Sequence, residues 1–232
     1  MNFYVVIPAR YDSTSFPGKV LTKINNITML ERVFNNAKKS SATEVFIATD
    51  SDKVFNSAEK YTKNVFMTSN KNVNGTERVA ELANILKWKA DTLVINLQAD
   101  MPELQYDNIN LLAEKSTNNE GLSTLYYDLE NSKLKMSKNT VKICIDGENI
   151  NFCRLAEGNI SDKIYKHIGI YGYYVKDLNS YKQLPQSENE KDLSLEQLRF
   201  VDNGYKISAY YAVSDPGISI DSSDNLNEIR KV

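Results

Sequence analysis

The chain has 232 residues, 41% of them apolar and 25% charged, with 28 basic against 30 acidic side chains. That balance excludes a disordered chain and a polybasic nucleic-acid binder, and the length suffices for one domain with a full core. Two cysteines, Cys144 and Cys153, lack CxxC or Cys/His spacing, so neither a disulfide scaffold nor a structural zinc site is expected.

Phe3 to Pro8 reads as a buried strand, too short and without the basic flank of a signal peptide or membrane span, so a cytoplasmic protein is expected. Thr28 to Lys39 reads as a helix with Met29, Leu30, Val33, Phe34 and Ala37 inward, and Glu44 to Thr49 as a second strand. Ser51 to Tyr61 is a helix, Asn64 to Met67 a strand, Thr76 to Trp88 a helix and Thr92 to Leu97 a strand. This β-α alternation predicts an α/β fold with a mostly parallel, Rossmann-like sheet and helices on both faces. From about residue 120 to 205 the pattern becomes less regular. Strands are expected at Ser123 to Tyr127, Val141 to Ile145 and Ile168 to Tyr174, with a helix from Ser194 to Val201. They form a smaller mixed lobe set into a single domain spanning 1–232. Ile207 to Val213 is a further strand and Ser223 to Lys231 a closing helix.

Ligands of open α/β sheets bind outside the carboxyl ends of the strands. Those ends are the loop Ala9 to Lys19, Thr49-Asp50, Thr68-Ser69 and Gln98-Ala99-Asp100. The first loop holds Arg10 and Lys19 around small hydroxyl residues and a Pro-Gly turn, suited to phosphate, although neither GxxxxGK[ST] nor GxGxxG is present. Its alternative is a solvated surface connection. In Gly75-Thr76-Glu77-Arg78, Thr76 reads as a helix cap and Glu77 as a favourable first-turn acid. Arg78 opposes the helix dipole there, which calls for an anion nearby. Asp100 and Asp221 each follow an apolar extended run and are either helix caps or, together with phosphate oxygens, enough for Mg²⁺. His167, the single histidine, reads first as a hydrogen-bonded structural residue.

Taken in chain order, seven blocks carry a resemblance: Ile7-Pro8-Ala9-Arg10-Tyr11 with Phe16-Pro17-Gly18-Lys19, Ala48-Thr49-Asp50, Gly75-Thr76-Glu77-Arg78, Asn96-Leu97-Gln98-Ala99-Asp100, Lys166 to Tyr173, and Leu195-Glu196-Gln197-Leu198-Arg199. Together they resemble the 3-deoxy-manno-octulosonate cytidylyltransferase (CMP-Kdo synthetase) family. The resemblance implies a nucleotidyltransferase fold and a reaction of CTP with a 2-keto-3-deoxy sugar acid, giving the CMP-sugar and pyrophosphate for lipopolysaccharide or capsule synthesis. It implies that Ala9, Arg10, Lys19, Ser69, Gly75, Arg78 and Gln98 hold the nucleotide, with Arg10, Lys19 and Asp100 catalytic. It implies Mg²⁺ on Asp100 and Asp221, a sugar-acid pocket of Arg154, His167, Tyr171, Glu196 and Gln197, and a homodimer formed through the smaller lobe. No nucleic-acid or membrane partner follows from it. The chain departs from the family at Ser15, Ala99 and Met101, where Arg, Gly and Glu are usual. Activation of a modified acid such as an 8-amino analogue, and a nucleotide-binding protein without catalysis, are the alternatives.

Overall fold

A computed structural model describes residues 2–12, 16–129, 135–147, 149–154, 164–221, 225–226 and 229. The first half follows the expected alternation. Strands β1 (Phe3–Pro8), β4 (Glu44–Thr49), β5 (Val65–Met67) and β6 (Leu93–Leu97) are parallel, ordered β6-β1-β4-β5. A two-strand hairpin, β2 (Lys23–Ile24) and β3 (Ile27–Thr28), forms a separate sheet before the first helix. Its turn residues Asn25 and Asn26 sit at positive φ (48° and 72°), a region asparagine tolerates better than most side chains.

Helices α1 (Met29–Ala37), α2 (Asp52–Ala58), α3 (Gly75–Ile85) and α4 (Tyr106–Ser116) follow the strands. Side-chain alternation along the strands decides which helix covers which face. Phe3, Val5 and Ile7 of β1, with Val45 and Ile47 of β4, pack under α1, α2 and α4. The intervening Val6, Phe46 and Ala48 pack under α3 on the other side. Thr28 caps α1 by accepting the Glu31 amide at 3.2 Å, a contact worth about 1 kcal/mol.

The second half continues the same sheet. Strand β10 (Ile164–Tyr174) runs antiparallel to β6 and to β7 (Leu122–Tyr127), and β11 (Ile207–Tyr211) closes the edge parallel to β7. The hairpin β8 (Lys142–Asp146) and β9 (Asn149–Cys153) branches off the beginning of β10. β10 starts four residues earlier than the expected Ile168 and changes register between Ile168 and Tyr171. A break of that kind lets one long strand serve two sets of partners. Three short helices follow: α5 (Val175–Tyr181), α6 (Glu188–Leu193) and α7 (Gln197–Asp202). The helix expected from Ser194 begins at Gln197, because Ser194 takes a left-handed backbone (φ 52°) that ends α6. A small separate core of Ile143, Phe152, Leu195 and Leu198 joins the β8–β9 hairpin to α7.

Of the closing helix, Asn225, Leu226 and Ile229 are described, all helical. Leu226 and Ile229 pack with Ile24, Met29 and Ile220, which returns the chain end to the first hairpin. Cys144 and Cys153 are free thiols. Among the described residues no helix is long and apolar enough to cross a membrane.

Candidate active site

A polar cleft of about 580 Å³ opens at the carboxyl ends of β1 and β6, the end where an open α/β sheet places its ligands. It gathers Arg10, Lys19, Gly75, Arg78, Gln98, Asp100, Arg154, Tyr171, Glu196, Gln197 and Asp221 from positions scattered along the chain.

Lys19 is its centre. Gly18, at φ +72°, donates its amide to the Tyr11 carbonyl at 2.7 Å, and this turn folds the first loop back so that Lys19 opens a single 3-10 turn. The Lys19 ammonium reaches Asp100 Oδ2 at 2.7 Å, the Ile220 carbonyl at 3.1 Å and Asp221 Oδ1 at 3.5 Å. Burial opposes its charge, but the two carboxylates outweigh burial and hold the ammonium above its ordinary pKa. Asp221 is displaced upward, first by burial and then by repulsion from Asp100. Two carboxylates converging on one cation form a site that favours further positive charge. Asp221 is brought there by main-chain pairing, since the Ile220 amide donates to the Asp100 carbonyl at 2.9 Å. The Ile218 amide donates to Glu103 Oε2 at 2.9 Å as well. Ala99 and Met101, on either side of Asp100, point into the core, which accounts for apolar residues at those two positions.

Arg10 is exposed at the mouth and has no hydrogen-bond or ion-pair partner among the described residues. Arg78 differs: its guanidinium is buried and binds Asp50 Oδ2 and Thr68 Oγ1, both at 2.6 Å. The anion that a first-turn cation calls for is therefore already supplied by Asp50, at the end of β4. Asn74, rather than Thr76, caps α3, its Oδ1 accepting the Glu77 amide at 2.9 Å. Thr76 donates its own amide to Glu196 Oε2 at 3.0 Å.

The facing wall comes from the second half of the chain. Tyr171 donates its hydroxyl to Gln197 Oε1 at 3.0 Å, which leaves the buried Gln197 Nε2 without a partner among the described residues. Burial raises the Tyr171 and Glu196 pKa values, Tyr171 well above the usual phenol. Arg154 gives three of its five N–H groups to main-chain carbonyls: Leu193 at 2.5 Å, Lys138 at 3.2 Å and Ser194 at 3.2 Å. Behind it Lys142, fully buried, donates to the carbonyls of Ser137 and Arg154, and burial lowers its pKa. Arg199 joins Glu77 at 2.8 Å and Glu190 at 2.7 Å across the cleft floor. Lys142 does not stand out by pattern, because it lies in a strand as an ordinary polar position, and Arg199 is marked only as the last residue of the Leu195 to Arg199 block.

Three expected site residues do not line the cleft. Ala9 is buried and commits its amide to the Ala48 carbonyl at 2.8 Å, as a continuation of the β1–β4 ladder. Ser69 sits in a loop whose amide donates to Glu81 at 2.9 Å. His167 is buried between Phe152 and Tyr171, with Nε2 at 2.9 Å from Thr124 Oγ1. Thr124 Oγ1 also lies within hydrogen-bond distance of the Ile168 and Ile170 carbonyls, at 3.1 and 2.9 Å, and burial keeps the imidazole neutral. Its placement is that of a hydrogen-bonded residue of the core. Ser15 and the stretch Leu155 to Gly158 lie outside the described residues.

Burial lowers the His167 pKa to about 3. A histidine depressed below its unfolded value near 6.5 contributes stability that is full above that value and lost as pH falls toward the folded one. The expected result is that the one imidazole C2–H resonance stays constant from pH 5 to 8 in an NMR titration. A midpoint between pH 6 and 7 would place the ring in solvent instead.

A cation-lined cleft over a parallel sheet is architecture suited to moving phosphate-bearing groups, and the cytidylyltransferase family profile matches residues 4–207. A 3-deoxy-manno-octulosonate cytidylyltransferase of Fusobacterium nucleatum subsp. nucleatum is 37% identical over 239 aligned residues, covering 99% of this chain and 96% of that protein. A solved structure of a CMP:2-keto-3-deoxy-manno-octonic acid synthetase complexed with CTP superposes with a TM-score of 0.87. That protein is 30% identical, with 99% of this chain and 97% of the other covered. A cytidylyltransferase from Leptospira borgpetersenii serovar Hardjo-bovis shares the fold, with a TM-score of 0.66 at 15% identity, over 99% of this chain and 84% of that one. The chain is an enzyme of the nucleotidyltransferase class. It belongs to the 3-deoxy-manno-octulosonate cytidylyltransferase family.

Proposed function

We propose that the protein activates Kdo with CTP, the anomeric hydroxyl of the sugar acid attacking the α-phosphorus and pyrophosphate leaving. The observation that carries this reading is the Lys19–Asp100–Asp221 cluster facing the Arg154 and Gln197 wall across one cleft. Arg10 receives the phosphates at the mouth, and Lys19 stands where their charge would meet the strand ends. Transfer at phosphorus depends mainly on positioning and charge neutralisation, which such groups supply. Among the described residues, Arg154 retains two N–H groups without a partner, which suit a carboxylate, and the Gln197 amide, likewise unpartnered there, offers a donor to a sugar oxygen.

Asp100 and Asp221 would hold Mg²⁺ carried in with the triphosphate. The fit rests on their convergence around one cation and on the raised Asp221 pKa. Among the described residues no group of three or more His, Cys, Asp or Glu side chains could hold a metal, which suits an ion completed by phosphate oxygens. Bound there, the ion would add to charge neutralisation on the phosphates.

Pyrophosphate release with CTP and Mg²⁺ is the test, run against Kdo, its 8-amino analogue and sialic acid. Release with Kdo at the highest kcat/KM is expected. Release only with another acid would reassign the substrate, and CTP binding without release would indicate a non-catalytic protein. The reading includes a homodimer in the cytoplasm, formed through the smaller lobe of about residues 120–205. Light scattering should give twice the 26.4 kDa chain mass, and a monomer mass would contradict it.

A further inference from the structure

Two short blocks lie far apart in the chain, Gly75-Thr76-Glu77-Arg78 at the start of α3 and Leu195-Glu196-Gln197-Leu198-Arg199 across the start of α7. They meet through one buried cation. Arg199 is 4% exposed; it holds Glu190 by two bonds, Nε at 2.8 Å and Nη2 at 2.7 Å, and Glu77 Oε1 by Nη1 at 2.8 Å. Its guanidinium also lies 4.4 Å from the centre of the Tyr181 ring.

Resting on the function proposed above, we propose that Arg199 is a positioning residue that couples the two halves of the cleft. Occupation of the nucleotide half then tightens binding in the sugar-acid half, and the reverse.

The contacts make such coupling physical. Glu77 accepts from Arg199 with one carboxylate oxygen and from the Val73 amide with the other, at 3.1 Å, so Arg199 holds the loop that forms the nucleotide wall. Two residues before Arg199, Gln197 carries the unpartnered amide of the opposite wall. Tyr181, under the guanidinium, accepts from Asn74 Nδ2 at 2.7 Å and donates to the Glu196 carbonyl at 3.1 Å. Both walls thus hang on one charged centre, three of whose five N–H groups are bonded to carboxylates. A ligand that immobilises either wall also immobilises this centre, so the second ligand meets less ordering cost. A purely structural ion pair would stabilise the fold without linking the two affinities.

The test measures each ligand with and without the other, in Mg²⁺, using Kdo and a CTP analogue with a methylene bridge between the α- and β-phosphorus so that no turnover occurs. In the wild-type protein each ligand should tighten the other about tenfold, and by linkage the two factors must be equal. Arg199→Met would leave the buried Glu190 stranded and endanger folding, so Glu77→Ala is the decisive variant. It removes the link to α3 while leaving the Arg199–Glu190 pair intact. Its coupling factor should fall to about one, while Kdo alone changes by less than about threefold and the CTP analogue alone weakens, because the Val73 amide also loses its acceptor. Arg199→Lys keeps the charge but cannot span both carboxylates, and should retain an intermediate factor. A folded Glu77→Ala with full coupling, or a wild-type protein that binds both ligands independently, would overturn the inference. A wild-type protein that binds neither would refute the functional reading and this inference with it.

Discussion

Asp100→Asn is expected to lower turnover by about 10³-fold, the equivalent of several kcal/mol of charge stabilisation, with the fold intact. The substitution preserves shape and an acceptor for Lys19 while removing the negative charge at the end of β6. Lys19 and Asp100 form a partly exposed pair, with side-chain exposures of 14% and 25%. The lost attraction is therefore worth about 1 kcal/mol or less, and Tm should fall by no more than roughly 4 °C in a chain of this size. If Asp100 holds the ion directly, its loss weakens Mg²⁺ binding, so raising Mg²⁺ should recover part of the activity. Kinetics paired with a thermal melt decide the matter. Unchanged turnover would remove Asp100 from the chemistry, and loss of activity together with the fold would make it a structural residue.

The second large effect separates two arginines that look alike as cations near strand ends. Arg78→Met should destabilise the protein by about 3–5 kcal/mol, because it strands Asp50 beside a buried hydroxyl. A Tm loss on the order of 10 °C corresponds to that cost. Adding Asp50→Asn should recover part of it, since the uncompensated charge is then gone. Arg10→Met should behave in the opposite way. Exposed and without a partner among the described residues, Arg10 should leave Tm within about 2 °C. Its loss should raise the KM for CTP roughly tenfold or more, the worth of a charge-assisted hydrogen bond to phosphate. Equal thermal losses in the two variants would show that Arg10, too, is held by the fold.

Much of this architecture is legible along the chain. Alternation in Phe3 to Pro8 and Glu44 to Thr49 assigns each side chain to one of the two sheet faces, because successive strand residues point in opposite directions. The strand-end rule then leads to Arg10, Lys19, Gln98 and Asp100, all of which line the cleft. Helix α4 is not legible. Its Asn108 and Asn110 are poor helix formers, and Asn108 is satisfied only by the distant segment Val213-Ser214. Helices α5 and α6 have seven and six residues, too few for periodicity to declare itself.

By itself, then, the sequence determined the strand and helix order, the faces they bury, the polar loops at the strand ends and the ordered blocks that mark the family. These follow from local spacing and residue type. The tertiary structure alone decided the partners: Asp221 beside Lys19, Asp50 as the anion for Arg78, Glu77 joined to Arg199, and His167 in the core rather than in the cleft. Charge and hydrogen-bonding capacity can be read from a residue's identity, but which group satisfies them depends on what folding brings within about 3 Å.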